Sequence, residues 1–191
     1  MRLCFATNNK NKILEIKSIL GSQFEILSLQ EIGCNEELPE TKDTIRGNSL
    51  QKAEYVWQNY KVNCFSDDSG LEVLALNGEP GVYSAMYAGP ACNADDNMAL
   101  LLKKMKSKTD RSGLFRTCIT LILNGEIHSF EGNVKGEILK TKQGEKGFGY
   151  DPIFKPEGFA ISFAEMSREE KNRISHRGRA VKHLVEYLSK L

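Results

Sequence analysis

Between Val62 and Leu76 the chain changes character abruptly, and that change limits the folds open to it. Val62, Cys64 and Phe65 form a short apolar run suited to a buried strand, which meets Asp67-Asp68-Ser69-Gly70 directly, and Leu71-Glu72-Val73-Leu74-Ala75-Leu76 follows. An acidic pair placed where a strand gives way to a Gly turn is held at the rim of a sheet, the place where α/β proteins collect reactive groups. Neighbouring positions on an extended chain face opposite ways, so one of Asp67 and Asp68 is expected to look into a cleft. The pair suits a hard cation, activation of a water, or both. As plain Asp-Ser-Gly turn chemistry it needs neither.

The 191 residues suffice for one full core and are short for two domains, so one domain over 1–191, in two lobes at most, is expected. Lys and Arg (26) nearly balance Asp and Glu (25), which leaves no global basic field for nucleic acid or an anionic membrane. Any anion must be bound locally. No apolar run approaches a membrane span, and Leu3 to Ala6 is too short for a signal peptide, so a cytoplasmic location is expected. The five cysteines are odd in number, widely spaced and without a C-x-x-C pair, which argues against a disulfide frame or a zinc site.

Strands are expected at Arg2–Ala6 and Phe24–Leu29, with a helix over Lys12–Leu20 whose apolar side is Ile13, Ile16, Ile19 and Leu20. Asp43 or Thr44 caps a helix to about Tyr60, Asn93 opens another, and Ser175 caps the last. Asn77-Gly78 marks a tight turn, and Asn124-Gly125 joins Phe115–Leu123 to Ile127–Leu139 as a hairpin.

Three further stretches carry possible chemistry. Thr7-Asn8-Asn9-Lys10-Asn11-Lys12 lies between a strand and a helix start, offering backbone N–H groups, amides and ammonium groups as a phosphate cradle without Walker glycines. Its rival reading is a solvated turn in which Asn and Thr only cap the helix. Gly147-Phe148-Gly149-Tyr150-Asp151-Pro152 interleaves aromatics with glycines, which suits stacking on a nucleobase or a turn packed by its own rings. Ser167 with Glu170 makes a capping box, after which Lys171, Ser175, His176 and Arg177 bring hydrogen-bond donors near a helix start; a solvated charge run is the alternative. Glu36, Glu37 and Glu40 read as surface charge, or one of them joins Asp68 in a Mg²⁺ site, since Mg²⁺ needs only one or two carboxylates when substrate phosphates supply the rest.

In their order along the chain these segments resemble the inosine triphosphate pyrophosphatase family, which hydrolyses noncanonical purine nucleoside triphosphates to monophosphate and pyrophosphate. The resemblance covers Thr7 to Lys12 with Glu15, Glu40-Thr41, Asn48 to Ala53, Ser66 to Val73, Pro80 to Gly89, Gly147 to Phe154 and Ser167 to Arg177. It implies an α/β fold with an elongated central mixed sheet flanked by helices, two lobes around a long central cleft, and a homodimer. It also implies roles: Asp68 as general base, and Glu40 with Asp68 on Mg²⁺, supported by Asp67 and Ser69. Thr7, Asn9 and Lys12 would hold the triphosphate, with Lys52 assisting and Asn8, Lys10 and Asn11 in the same loop. Phe148 would stack on the purine, while Lys171, Ser175, His176 and Arg177, with the Gly149-Tyr150-Asp151 backbone, would read its 6-oxo edge. Where many such proteins carry a basic residue after Tyr-Ser-Ala, this chain has Met86, and Lys10 is the candidate to compensate. The implied substrates are ITP, dITP and XTP. A pyrophosphatase for modified pyrimidine nucleotides and a nucleotide sensor that does not hydrolyse are the competing readings.

Overall fold

The computed structural model describes residues 1–20 and 24–191. These form seven strands: β1 (Arg2–Phe5), β2 (Glu25–Leu27), β3 (Cys64–Val73), β4 (Pro80–Gly81), β5 (Ser112–Leu123), β6 (Glu126–Ile138) and β7 (Phe154–Pro156). One sheet runs in the order β2-β1-β3-β5-β6-β7, with β4 paired to β3. Because β1 lies parallel to β2 and β3, while β4 and β7 run antiparallel to β3 and β6, the sheet is mixed and the fold α/β, as expected.

The helices are α1 (Lys10–Leu20), α2 (Ile45–Tyr60), α3 (Ala94–Lys104), α4 (Arg168–Ile174) and α5 (His176–Leu188). Their starts follow from capping side chains. Thr44 accepts from the Gly47 N–H at the head of α2, Asn93 from those of Asp95 and Asp96 at α3, and Ser167 with Glu170 closes a full capping box on α4. Ser175 is extended, as an N-cap must be, and immediately precedes α5. The Asn-Gly turns are also where expected: Asn77 and Gly78, then Asn124 and Gly125, all take the positive φ that such turns require.

The chain divides into two compact units, each with its own core. The first comprises Met1–Asp68, Thr117–Gly132 and Arg177–Leu191, and buries Phe5, Ile16, Phe65, Ile119, Leu121, Val181 and Leu184 together. Phe5 and Phe65, register partners on β1 and β3, stack with ring centroids 4.6 Å apart. The second comprises Ser69–Arg116 and Asn133–His176, with Leu71, Leu101, Met105, Phe115, Ile153, Phe154 and Phe163 at its centre.

Two expectations need correction. Asp-Ser-Gly is not a turn: β3 passes through it unbroken, Gly70 is not among the positive-φ glycines, and pairing continues at Leu71 opposite Gly81. Apolar partners wait beyond the acidic pair as well as before it, so the strand has no reason to end there. Helix α1 begins at Lys10 rather than Lys12, because the Asn9 side chain accepts from the N–H groups of Asn11 and Lys12 and so starts the helix earlier.

Candidate active site

The alternation of β3 decides where its side chains go. Cys64, Ser66 and Asp68 face α2: the Cys64 thiol donates to the Ala53 carbonyl at 3.4 Å, the Ser66 hydroxyl donates to the Ser49 carbonyl, and Asp68 Oδ1 lies 3.9 Å from Lys52 Nζ. Phe65 and Asp67 face the other way, where Asp67 meets Lys12 of α1 at 3.1 Å and Arg177 Nε of α5 at 3.0 Å. One pair of adjacent carboxylates is therefore split between two separate sets of cations.

Asp67 is fully buried. Burial by itself would raise its pKa, but Lys12 and Arg177 outweigh it and hold the carboxyl far below the usual range. Arg177 also donates to Glu15 on the inner face of α1, and that second carboxylate helps to fix the guanidinium against the cost of burying it. Lys12 pays for its own enclosure, its pKa lowered mainly by burial despite Asp67. Asp68 is in the opposite position: burial dominates and pushes its pKa up, with Lys52 and Lys12 only partly opposing, and with Glu40 and Asp67 adding to the rise. A carboxyl raised in this way is a stronger base than an ordinary carboxylate once ionised.

Lys52 joins Asp68 to Glu40, to which it also donates. The loop that carries Glu40 is tied down on either side. Glu36 accepts from the hydroxyls of Tyr55 at 2.9 Å and Tyr60 at 2.6 Å, and Gln51 exchanges two 2.9 Å hydrogen bonds with Thr41. Asn48 accepts from the Lys42 N–H at 2.8 Å. Among the described residues no three His, Cys, Asp or Glu side chains gather as a ready metal site. Glu40 and Asp68 nonetheless place two hard oxygen donors around one ammonium, and that donor set fits Mg²⁺ in the mode in which substrate phosphates complete the coordination.

At the β1–α1 turn Thr7 is buried and its hydroxyl accepts from the Asn9 N–H at 3.2 Å. The N–H groups of Asn11 and Lys12 go to the Asn9 cap, so part of the expected cradle is used internally. Those of Asn8 and Lys10 have no acceptor among the described residues, and both residues are exposed at the positive end of α1.

In the second unit Asp151 is the centre. Its Oδ2 accepts from the Phe148 N–H at 2.8 Å and from Lys171 Nζ at 2.6 Å, and Lys171 in turn lies 4.8 Å from the centroid of the half-buried Phe148 ring. Gly147, at φ 74°, leaves the room this needs, because a Cβ there would sit 2.2 Å from Asp151 Oδ2. Tyr150 is core, its hydroxyl donating to the Ser84 carbonyl at 2.9 Å, so the two aromatics of this segment do not share one open face. His176 stacks flat on Phe115 at 4.4 Å, and Ser69 is half-buried. Lys171 and Arg177, expected among the donors near a helix start, are bound to different carboxylates, Asp151 and Asp67.

Sequence reasoning passed over the hydroxyl of Thr120, and took in Glu15, Ser49 and Ser66 only as part of a family pattern. Glu15 had one local sign, a charge on the same helical face as Ile16 and Ile19; the hydroxyls had none.

Fold and site together define an α/β protein whose mixed sheet carries a buried carboxylate pair, one member neutralised by fixed cations and the other held at higher proton affinity. The chain belongs to the Ham1 family, whose model matches residues 3–187, and this bears out the resemblance drawn from the ordered motifs. It is 58% identical over 189 residues to the dITP/XTP pyrophosphatase of Flavobacterium johnsoniae, covering 99% of this chain and 98% of that one. The dITP/XTP pyrophosphatase of Porphyromonas gingivalis is 52% identical, with 98% and 97% covered. Among solved structures, the Staphylococcus aureus Ham1 protein superposes with a TM-score of 0.91 at 38% identity, covering 100% of this chain and 99% of that one. A HAM1 protein from Coxiella burnetii gives 0.92 at 31% identity over the whole of both chains.

Proposed function

We propose that this chain is a nucleoside triphosphate pyrophosphatase that hydrolyses noncanonical purine nucleotides, ITP, dITP and XTP, to the monophosphate and pyrophosphate. The observation that carries the reading is Asp68, enclosed yet within reach of Lys52 and Glu40, in a chain whose relatives named dITP/XTP pyrophosphatase match it from end to end. Asp68 orients a water for in-line attack on the α-phosphorus and accepts its proton. Lys12 and Lys52, with Thr7, Asn8, Asn9, Lys10 and Asn11, hold the triphosphate. Positioning and charge stabilisation supply most of the rate, as phosphoryl transfer generally requires. Glu40 and Asp68 are the residues that would hold Mg²⁺, which when bound supplies charge neutralisation for the pyrophosphate leaving group.

Phe148 stacks on the base, and Lys171, Ser175, His176 and Arg177, with the Gly149-Tyr150-Asp151 segment, favour a 6-oxo acceptor. An adenine amine would leave such donors unpaired, at a cost of roughly 1–3 kcal/mol for each buried one. Residues 1–191 then act as one pyrophosphatase domain, cytoplasmic and homodimeric, with no nucleic acid or membrane as partner; sedimentation checks the dimer.

The deciding measurement is pyrophosphate release with Mg²⁺ from ITP, dITP, XTP, GTP, ATP and a modified pyrimidine triphosphate. Fast release from ITP, dITP and XTP is expected. Equal rates for ITP and ATP refute the selectivity, preference for the pyrimidine nucleotide moves the substrate class, and binding without release makes the chain a sensor.

A further inference from the structure

We propose that Ser49, Ser66 and Thr120 form a hydroxyl clamp that sets helix α2 on the sheet at the one position where Lys52 meets Asp68. All three are 1% exposed or less. Ser49 Oγ lies 3.0 Å from Thr120 Oγ1 on β5 and 3.2 Å from Ser66 Oγ on β3. The Ser66 hydroxyl spends its hydrogen on the Ser49 carbonyl, so the single hydrogen of Ser49 is left for Thr120 or for the Ser66 oxygen.

The spacing ties this cluster to the reacting carboxylate. Ser49 and Lys52 are three apart on α2 and share a face; Ser66 and Asp68 are two apart on β3 and share a face. The two elements thus meet in two rungs, Ser49 with Ser66 and Lys52 with Asp68. The same three elements also pack through apolar side chains, Ala53 and Val56 of α2, Cys64 of β3 and Ile122 of β5. Contacts of that kind resist separation but are tolerant of sliding, and three buried hydroxyls are costly unless their bonds are made. Directional bonds fix what apolar packing leaves loose, the position of the helix along the strand. Lys52 gains from this because a flexible side chain delivers its ammonium reliably only from a backbone held to about 0.5 Å. Ser49, Ser66 and Thr120 are accordingly positioning residues, and their effect on turnover passes through Lys52. The inference rests on the reading of Asp68 as the group that orients the attacking water.

The test is Thr120→Val, which keeps the shape and removes the hydroxyl, beside Thr120→Ser, which keeps the hydroxyl. For ITP hydrolysis we expect Thr120→Val to lower kcat about tenfold with KM within about twofold, and Thr120→Ser to restore at least half of the wild-type kcat. In a Lys52→Met background the same Thr120→Val change is expected to cost less than about twofold, because the group it positions is gone. An equal loss with and without Lys52, or a change confined to KM, overturns the clamp. If Thr120→Val does not fold, Ser49→Ala takes its place with the same outcomes. If the wild-type protein releases pyrophosphate from no nucleotide, the reading of Asp68 falls. The clamp is then decided by crystal structures, in which an unchanged Lys52 Nζ to Asp68 Oδ1 separation in Thr120→Val refutes it.

Discussion

Asp67 and Asp68 are chemically identical and adjacent, yet substitution is expected to separate them cleanly. Asp67→Asn leaves Lys12 and Arg177 enclosed with one negative charge fewer, so a loss of about 3–5 kcal/mol is expected in urea unfolding. Asp68→Asn removes a carboxylate whose burial is already unfavourable, so the fold should survive while turnover falls by orders of magnitude; near-normal hydrolysis would remove Asp68 from the water-orienting role. The acid dependence has a definite sign. The folded pKa of Asp67 lies below its unfolded value, so its contribution is complete above the ordinary carboxylate range and is lost as pH falls through that range and below it. Urea midpoints measured at falling pH should therefore drop less steeply in Asp67→Asn than in wild type. Glu36 is an exposed counterpart, held at about 2 first by the Tyr60 hydroxyl and then by further bonds that include Tyr55. Tyr60→Phe should return its carboxyl resonance in an NMR titration toward the ordinary glutamate value.

At the level of the element, what was legible in the sequence was what is settled within a few residues. Asp43 or Thr44, Asn93 and Ser167 announced helix starts, with Thr44 the cap that α2 uses, and two Asn-Gly pairs announced turns, because caps and positive-φ turns are local chemistry. Gly70 misled because the residue type permits a turn that the buried pairing of β3 does not need. The Ser49–Ser66–Thr120 contacts join residues up to 71 positions apart, so no local pattern could carry them. The family resemblance supplied roles for Asp68 and Glu40, but not the fact that Arg177 is bound by Asp67 and Glu15. Two substitutions probe single elements. Thr44→Ala should cost about 1 kcal/mol by removing the cap of α2, measured by thermal unfolding. Gly147→Ala demands both a strained φ and the space occupied by Asp151 Oδ2, so the Phe148 loop must shift. Its signature should be a raised KM for ITP, with kcat less affected.

For the whole molecule, the informative fact is how the chain is shared between its two units. It passes from one to the other at 68/69, 116/117, 132/133 and 176/177, so neither unit is a continuous piece of sequence. Neither can be completed before most of the chain has been made, and their stabilities should be linked. Leu184→Ala in the first core and Leu101→Ala in the second should each cost about 2–5 kcal/mol. Both should displace the same single urea transition, and two resolved transitions would show the units to be independent. The strand that carries the acidic pair also has a parity, and parity makes its length unforgiving. One extra codon anywhere between Phe65 and Asp67 would turn every later side chain over, setting the silent carboxylate in the place opposite Lys52 and moving the reactive one to the other face, about 6.6 Å beyond the place where Arg177 and Lys12 now hold Asp67. Two extra codons would restore the facing but carry both acids about 6.6 Å too far. In that short span an insertion of either size takes both acids away from their present partners.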